Sequence, residues 1–271
     1  MSSNTTRTVV VTGASSGIGK ATAAAFAARG HKVIGTSRNP DSLAEADRVP
    51  GVEYRALDLT DATSIDRFAT ELGAIDVLIN NAGESQAGPL AELPGDAIER
   101  LFRLNVFGAV ALTQAVLPGM RERGYGRIVM VGSMLGSFPM PYRSSYVATK
   151  AALRGFATAA RFEESPFGVW ITTMEPGQID TGLAERRTKY IADNSPHTAD
   201  FTNFMAGLDA AMSKGIPPAK VAETIVAAVD SARPQPLYAV GSNAPLMFLI
   251  RRLLPRTVME RLIASSHGLK R

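Results

Sequence analysis

The chain has no cysteine. That absence excludes disulfide-stapled folds, thiolate metal sites and cysteine nucleophiles. It fits a reducing compartment, and a cytoplasmic location is expected. Histidine is scarce, with 3 in 271 residues. No His or acidic cluster has metal-ligand spacing, so no metal is expected. The stretch Met1 to Arg7 lacks the apolar core of a secretory signal. No run approaches the length of continuous apolar sequence that a spanning helix needs, so none is expected. Aromatics make up only 7% of the chain and are not interleaved with a basic stripe, so no nucleic-acid partner is expected.

Charge is unevenly placed. Six basic residues (Arg251, Arg252, Arg256, Arg261, Lys270, Arg271) and one acid, Glu260, give segment 251–271 a charge of +5. The chain as a whole carries +4, so everything before that segment sums to −1. Basic character belongs to the tail and not to the body.

What is present is an alternation. Short β-branched runs at 8–11, 32–36, 52–56, 75–79, 127–131, 169–174 and 237–240 read as strands. Helical patterns at about 61–73, 95–122, 144–164, 205–214 and 218–231 lie between them, after an Ala-rich helix ending near Arg29. Nearly continuous apolar strands alternating with helices predict an α/β fold, a doubly wound parallel sheet covered on both faces. No linker divides the chain. Residues 1–243 read as one domain, with an insertion at about 182–218 that covers a ligand or forms a surface excursion. Residues 244–271 read as an apolar-basic helical extension, interrupted at Pro255. That extension packs beside the substrate entrance or a neighbouring subunit, or attaches peripherally to anionic lipid; packing is the favoured expectation.

Residues 12–19 read TGASSGIG. Gly13, Gly17 and Gly19, with Ser15, Ser16 and Ile18 among them, follow the first strand and open the first helix. Glycine permits a tight turn and close approach to a pyrophosphate, and the helix start offers free N–H groups. At the end of the second strand stands Arg38, where a guanidinium would pair with the extra phosphate of NADP(H) and a carboxylate would repel it. NADP(H) is therefore expected over NAD(H). Asp58, followed by Leu59, is placed to accept from an adenine amino group, or else to cap the next helix, for which Thr60 is the better candidate. In NNAG at 80–83, Asn80 and Asn81 can bridge backbone groups, while Ala82 and Gly83 leave room for a cofactor.

Tyr146 and Lys150 stand four apart on a helix, thirteen residues after Ser133. That spacing puts both side chains on one face. A free tyrosine, with a pKa of about 10, is a poor acid or base near neutrality. An adjacent ammonium stabilises the phenolate, and a nearby hydroxyl can orient a reacting oxygen. The trio suits proton transfer to a carbonyl or from an alcohol. Each residue alone has an ordinary reading as packing, solvated or turn residue. Met134, Leu135, Phe138, Met140 and Tyr142 surround the trio in sequence, and Phe201, Phe204, Met205 and Leu208 are expected to close over them. A cleft so lined favours a hydrophobic ketone or secondary alcohol. His197 reads as an exposed loop residue or a substrate contact.

Together, TGASSGIG, NNAG, Asn105 in LNVFG, Ser133, YVATK at 146–150 and Pro176-Gly177 leading to Thr181 resemble the short-chain dehydrogenase/reductase family. The likeness runs from Thr8 to Thr181 and less specifically to Val240. DVLINNAG, GPLAEL and the tail look most like hydroxysteroid and retinol dehydrogenases. The resemblance implies a Rossmann-type seven-stranded sheet of order 3-2-1-4-5-6-7. It implies Tyr146 as general acid or base, Lys150 easing its ionisation and holding the nicotinamide ribose, and Ser133 bonding the substrate oxygen. Asn105 would connect a water to Lys150, and Pro176, Gly177, Ile179 and Thr181 would line the nicotinamide. It also implies a homodimer or homotetramer. Two alternatives stay open: a non-catalytic NADP-sensing or scaffold protein, and a reductase of enoyl or imine bonds.

Overall fold

Successive residues of the central strands face opposite ways, and both sides are buried in apolar side chains. The computed structural model describes residues 5–255, 257–259, 261 and 265. Strand β1 (Thr8–Val11) sends Val9 and Val11 to one face and Val10 to the other, all fully buried. The remaining long strands are β2 (Lys32–Ser37), β3 (Val52–Ala56), β4 (Val77–Asn80), β6 (Gly126–Val131), β7 (Val169–Pro176) and β9 (Leu237–Val240). They form one parallel sheet of order β3-β2-β1-β4-β6-β7-β9. The expected order holds. The labels differ because two short strands, β5 (Gln86–Ala87) and β8 (Thr188–Lys189), pair with each other in a separate two-stranded sheet.

One face is packed by α2 (Ala62–Glu71), α4 (Gly108–Glu122) and α5 (Ser144–Glu164), through Phe68, Leu112 and Leu153. The other is packed by α1 (Gly17–Ala27) and α7 (Pro218–Asp230), through Phe26, Val221 and Ile225. Burying side chains of this size is worth about 1.5–3 kcal/mol each, so the two layers fix where the strand ends lie. Helix α2 is capped by Asp61, whose side chain accepts from the Thr63 N–H, and not by Thr60.

Two local features depart from the sequence pattern. The helix expected over 95–122 is α3 (Gly95–Phe102), a wider i→i+5 segment at Arg103–Phe107, and α4. By length and composition this continuous helix could cross a membrane, yet Leu101, Val106, Leu112 and Met120 are buried in the protein. The helix placed near 205–214 is α6, Thr198–Met212, and begins earlier. Helix α8 (Ala244–Leu253) packs Phe248 edge-on against Phe138 at 5.1 Å, while Leu246, Leu249 and Leu253 are exposed. The tail residues Arg256, Glu260, Leu262, Ile263, Lys270 and Arg271, like Met1 to Asn4, lie outside the described residues.

Candidate active site

At the carboxyl ends of β1 and β4 the glycine turn is locked by side chains. Thr12 Oγ1 accepts from the Asn81 and Ala82 N–H groups at 2.9 and 3.0 Å. Asn81 Nδ2 donates to the Thr12 and Gly13 carbonyls at 2.8 and 3.3 Å. Asn80 instead turns inward, its Nδ2 donating to Thr113 Oγ1 at 2.9 Å. The turn has no room to spare. Gly13 (φ +65°) and Gly17 (φ +54°) adopt left-handed backbone, and a Cβ on Gly19 would stand 2.2 Å from the Gly13 carbonyl oxygen. A Cβ on Gly17 would come within 3.1 Å of Thr181 Cβ, so the loop after β7 approaches the start of α1. Helix α1 has Ser16 at its cap, no side-chain cap bond and no acid in its first turn. Its first N–H groups and the positive end of its dipole are free for an anion.

A groove of about 590 Å³ runs over this turn. Gly13, Ser15, Ser16, Gly17, Ile18, Arg38, Leu59, Asn81, Ala82, Gly83, Tyr146, Lys150 and Thr181 line it, as the sequence suggests. Arg38 is exposed at the rim beside Thr36 and Ser37 and makes no ion pair among the described residues. The residues fit a pyrophosphate-bearing dinucleotide, because a Cβ on any of the three glycines would crowd the turn or its neighbours. Gly19 lies beneath the turn and not in the lining. Asp58 also stands back: Oδ1 takes both the N–H and the hydroxyl of Thr60, at 2.9 and 2.7 Å. Those bonds, led by the hydroxyl, hold its carboxyl below the usual range.

The groove leads to the end of β6 and the start of α5. Lys150 Nζ donates to the Val131 carbonyl at 2.9 Å and lies 5.7 Å from the centroid of the Tyr146 ring. Both residues are buried, at 5% and 7% exposure. Asn105 sits in the widened helical segment. Its Oδ1 accepts from the Glu84 N–H at 2.9 Å, and its Nδ2 donates to the Glu84 carbonyl at 3.0 Å and to Thr149 Oγ1 at 3.2 Å. These bonds tie the loop after β4 to α5. A Cβ on Gly83 would lie 3.1 Å from Asn105 Oδ1 and 3.6 Å from Lys150 Nζ, so glycine keeps the space between them open. Ser133 caps a short turn, its Oγ accepting from the Leu135 N–H at 3.2 Å.

Beside the groove lies a second cavity of about 250 Å³, which shares Tyr146 and Ile18 with it. Ser133, Met134, Leu135, Phe138 and Met140 line it as expected, and Pro176, Gly177 and Ile179 border it on the β7 side. Four expected lining residues do not. The Tyr142 ring turns away and packs edge-on against Phe201 at 5.4 Å and Phe204 at 5.6 Å. Phe201, Phe204 and Met205 form a buried cluster behind the cavity wall. The wall itself comes from Leu208, as expected, with Met212 one turn on and Leu183 from earlier in the insertion. Sequence distance could not tell which turn of α6 faces inward. His197 is exposed at the start of α6, with its ring 6.0 Å from that of Tyr142.

Among the lining residues that were missed, two are charged. Arg143 precedes α5, is 3% exposed, and stacks its guanidinium 4.6 Å from the Tyr146 ring centroid. Arg187, 5% exposed, enters from the insertion. Arginine is seldom buried, so nothing in the sequence pattern marks either one. The lone available signal was that Arg143 stands three residues before Tyr146.

A doubly wound sheet with a glycine turn under its first helix, and a tyrosine-lysine pair where the groove ends, defines a dehydrogenase-type scaffold. The chain belongs to the short-chain dehydrogenase family, whose model matches residues 7–191. It is 34% identical over 272 residues to dehydrogenase/reductase SDR family member 7B of Bos taurus, covering 95% of this chain and 80% of that one. It is 30% identical over 259 residues to 3-ketodihydrosphingosine reductase of Bacteroides thetaiotaomicron, covering 93% and 94%. Among solved structures, a short-chain dehydrogenase from Streptomyces avermitilis matches with TM-score 0.80 and 35% identity, over 98% and 100% of the two chains. A short-chain dehydrogenase from Sphingobium yanoikuyae in complex with NADPH matches with TM-score 0.73 and 28% identity, over 97% and 94%.

Proposed function

We propose that the protein is an NADP(H)-dependent carbonyl reductase or alcohol dehydrogenase that acts on hydrophobic ketones or secondary alcohols. The observation that carries this reading is the position of Tyr146. It stands where the dinucleotide groove meets the largely apolar cavity, with Lys150 beside it and Ser133 in the lining of the same cavity. When bound, NADPH supplies a hydride from C4 of its nicotinamide. Ser133 donates a hydrogen bond to the carbonyl oxygen, and Tyr146 delivers the proton to it. Lys150 and Arg143 place two cations against the Tyr146 ring. Lys150, held by the Val131 carbonyl, also reaches the groove side where the nicotinamide ribose would lie. Asn105 fixes the Glu84 loop against α5 and keeps the path to Lys150 open for proton exchange.

Preference for NADP(H) is supported by Arg38 at the groove rim and by the NADPH complex of the Sphingobium yanoikuyae protein. The apolar cavity supports a hydrophobic substrate. The test is NADPH oxidation across a panel of aliphatic, aromatic, steroid and retinoid carbonyls. Turnover with an apolar member is expected. Tyr146→Phe should lower kcat by about 10²–10⁴-fold, the usual worth of a positioned proton donor, while still binding NADPH. Retention of most of the turnover would sink the assignment of Tyr146.

A further inference from the structure

The cavity beside Tyr146 is lined mostly by apolar side chains, with a few neutral polar ones, and two arginines enter it. Arg143 and Arg187 both line it, and neither lines the dinucleotide groove. Arg143 gives one N–H to Ser85 Oγ at 2.8 Å, and its Nε finds no acceptor among the described residues. No described carboxylate forms an ion pair with it. The Arg187 side chain, 1% exposed, meets Asp209 at 2.5 Å and Met212 Sδ at 2.9 Å, and its Nε is also without an acceptor. Asp209 is shared, because Lys189 lies 3.2 Å from its other oxygen. Arg187 therefore shares its one carboxylate with Lys189, and Arg143 has none among the described residues. Burial, with the neighbouring Arg187 as the next cause, pushes Arg143 down to about 10, so it is still charged at neutral pH.

An uncompensated buried cation is costly unless a partner completes it. Guanidinium groups suit planar or tetrahedral oxyanions, through paired charge-assisted bonds. We propose that the substrate is an apolar carbonyl compound bearing an oxyanion, a carboxylate or a phosphate monoester, that docks on Arg143 and Arg187 while its carbonyl meets Ser133 and Tyr146. This rests on the carbonyl-reducing reading above and narrows it. The same charge disfavours substrates with an ammonium near the carbonyl.

The test compares matched pairs with NADPH. One pair is a medium-chain γ-keto acid and its methyl ester; the other is a keto-alkyl phosphate monoester and its parent keto-alcohol. The anionic member of at least one pair should have a kcat/KM higher by about tenfold or more, the worth of one charge-assisted hydrogen bond. Whichever pair shows it identifies the oxyanion. Arg187→Met should bring that ratio close to one through KM, and Arg187→Lys should restore part of it. A measurement on the unaltered protein guards against variants that fail to fold. Alkyl carboxylate or alkyl phosphate should compete with a neutral ketone, and an alkylammonium of equal chain length should not. A ratio near one in both pairs, or equal inhibition by the ammonium, overturns this inference and leaves the carbonyl reductase reading standing. No turnover of any carbonyl would overturn both.

Discussion

One added methyl group separates the two jobs that glycine does near the cofactor groove. A Cβ on Gly19 would lie 2.2 Å from a backbone oxygen and 2.4 Å from Asn81 Nδ2, and neither can move without opening the turn. A Cβ on Gly83 would be 3.1 Å from Asn105 Oδ1, a side-chain atom. Gly19→Ala should therefore cost about 1–3 kcal/mol by overpacking and weaken dinucleotide binding with it. Gly83→Ala should leave the melting temperature nearly unchanged and lower turnover, because it intrudes between Asn105 and Lys150. Thermal melts beside NADPH titrations and steady-state rates check both; a Gly83→Ala protein that melts early and turns over normally would contradict the argument. The residues that glycine spacing and the Tyr-Lys interval point to do converge in space. Sequence proximity was a weaker guide: Met134 and Phe138 line the cavity, but Tyr142, on left-handed backbone (φ 58°), packs its ring against Phe201, and neither of these two lines it.

Along α5 a stripe of every fourth residue serves the site. Tyr146 and Lys150 are followed by Arg154, which reaches Glu175 on β7 at 3.4 Å and hydrogen-bonds Ser137 in the segment after Ser133. Ser137 Oγ donates to Glu175 Oε2 at 2.7 Å. The network joins helix, strand and the Ser133 loop around a carboxyl whose side chain is 1% exposed. Burial raises Glu175 above its usual range, while Ser137 and Arg154 oppose the rise. Arg154→Met removes an opposing cation and should cost about 3 kcal/mol at neutral pH. A raised carboxyl is best tolerated below its unfolded pKa of about 4.5, and its contribution is lost as pH rises through the folded value. The deficit of the variant should thus grow as pH rises above about 4.5 in a series of thermal melts. Glu175→Gln in the same background should shrink it; a deficit independent of pH would count against this account. The central strands were legible because they are buried and nearly continuous in apolar residues, while the edge strand VEYRA at 52–56 is only half-buried. The two-residue strands at Gln86 and Thr188 and the widened turn at Asn105 were not. They are set by tertiary bonds, such as the pair between Asn105 and Glu84, which leave no periodic trace.

At the scale of the whole molecule, the dinucleotide groove is the surface where both core layers and four strand ends meet. Gly13 follows β1, Ser37 ends β2, Asn81 follows β4, Val131 ends β6, and α1 and α5 close the sides. A ligand seated there binds the assembled sheet and not the unfolded chain, so binding stabilises the fold as a unit. At a concentration 100-fold above Kd the gain is about 2.7 kcal/mol, which for a domain of this size raises Tm by roughly 5–10 °C. NADPH should produce a shift of that order, and NADH at equal concentration a smaller one. The difference is assigned to Arg38, exposed at the rim and unpaired with any described carboxylate, where an added phosphate would meet it. In Arg38→Asp the carboxylate repels that phosphate and can accept ribose hydroxyls instead. Its NADPH shift should collapse while its NADH shift is retained or grows. Differential scanning fluorimetry with both cofactors reads the outcome, and an Arg38→Asp protein that keeps the wild-type order of the two shifts would remove Arg38 from cofactor selection.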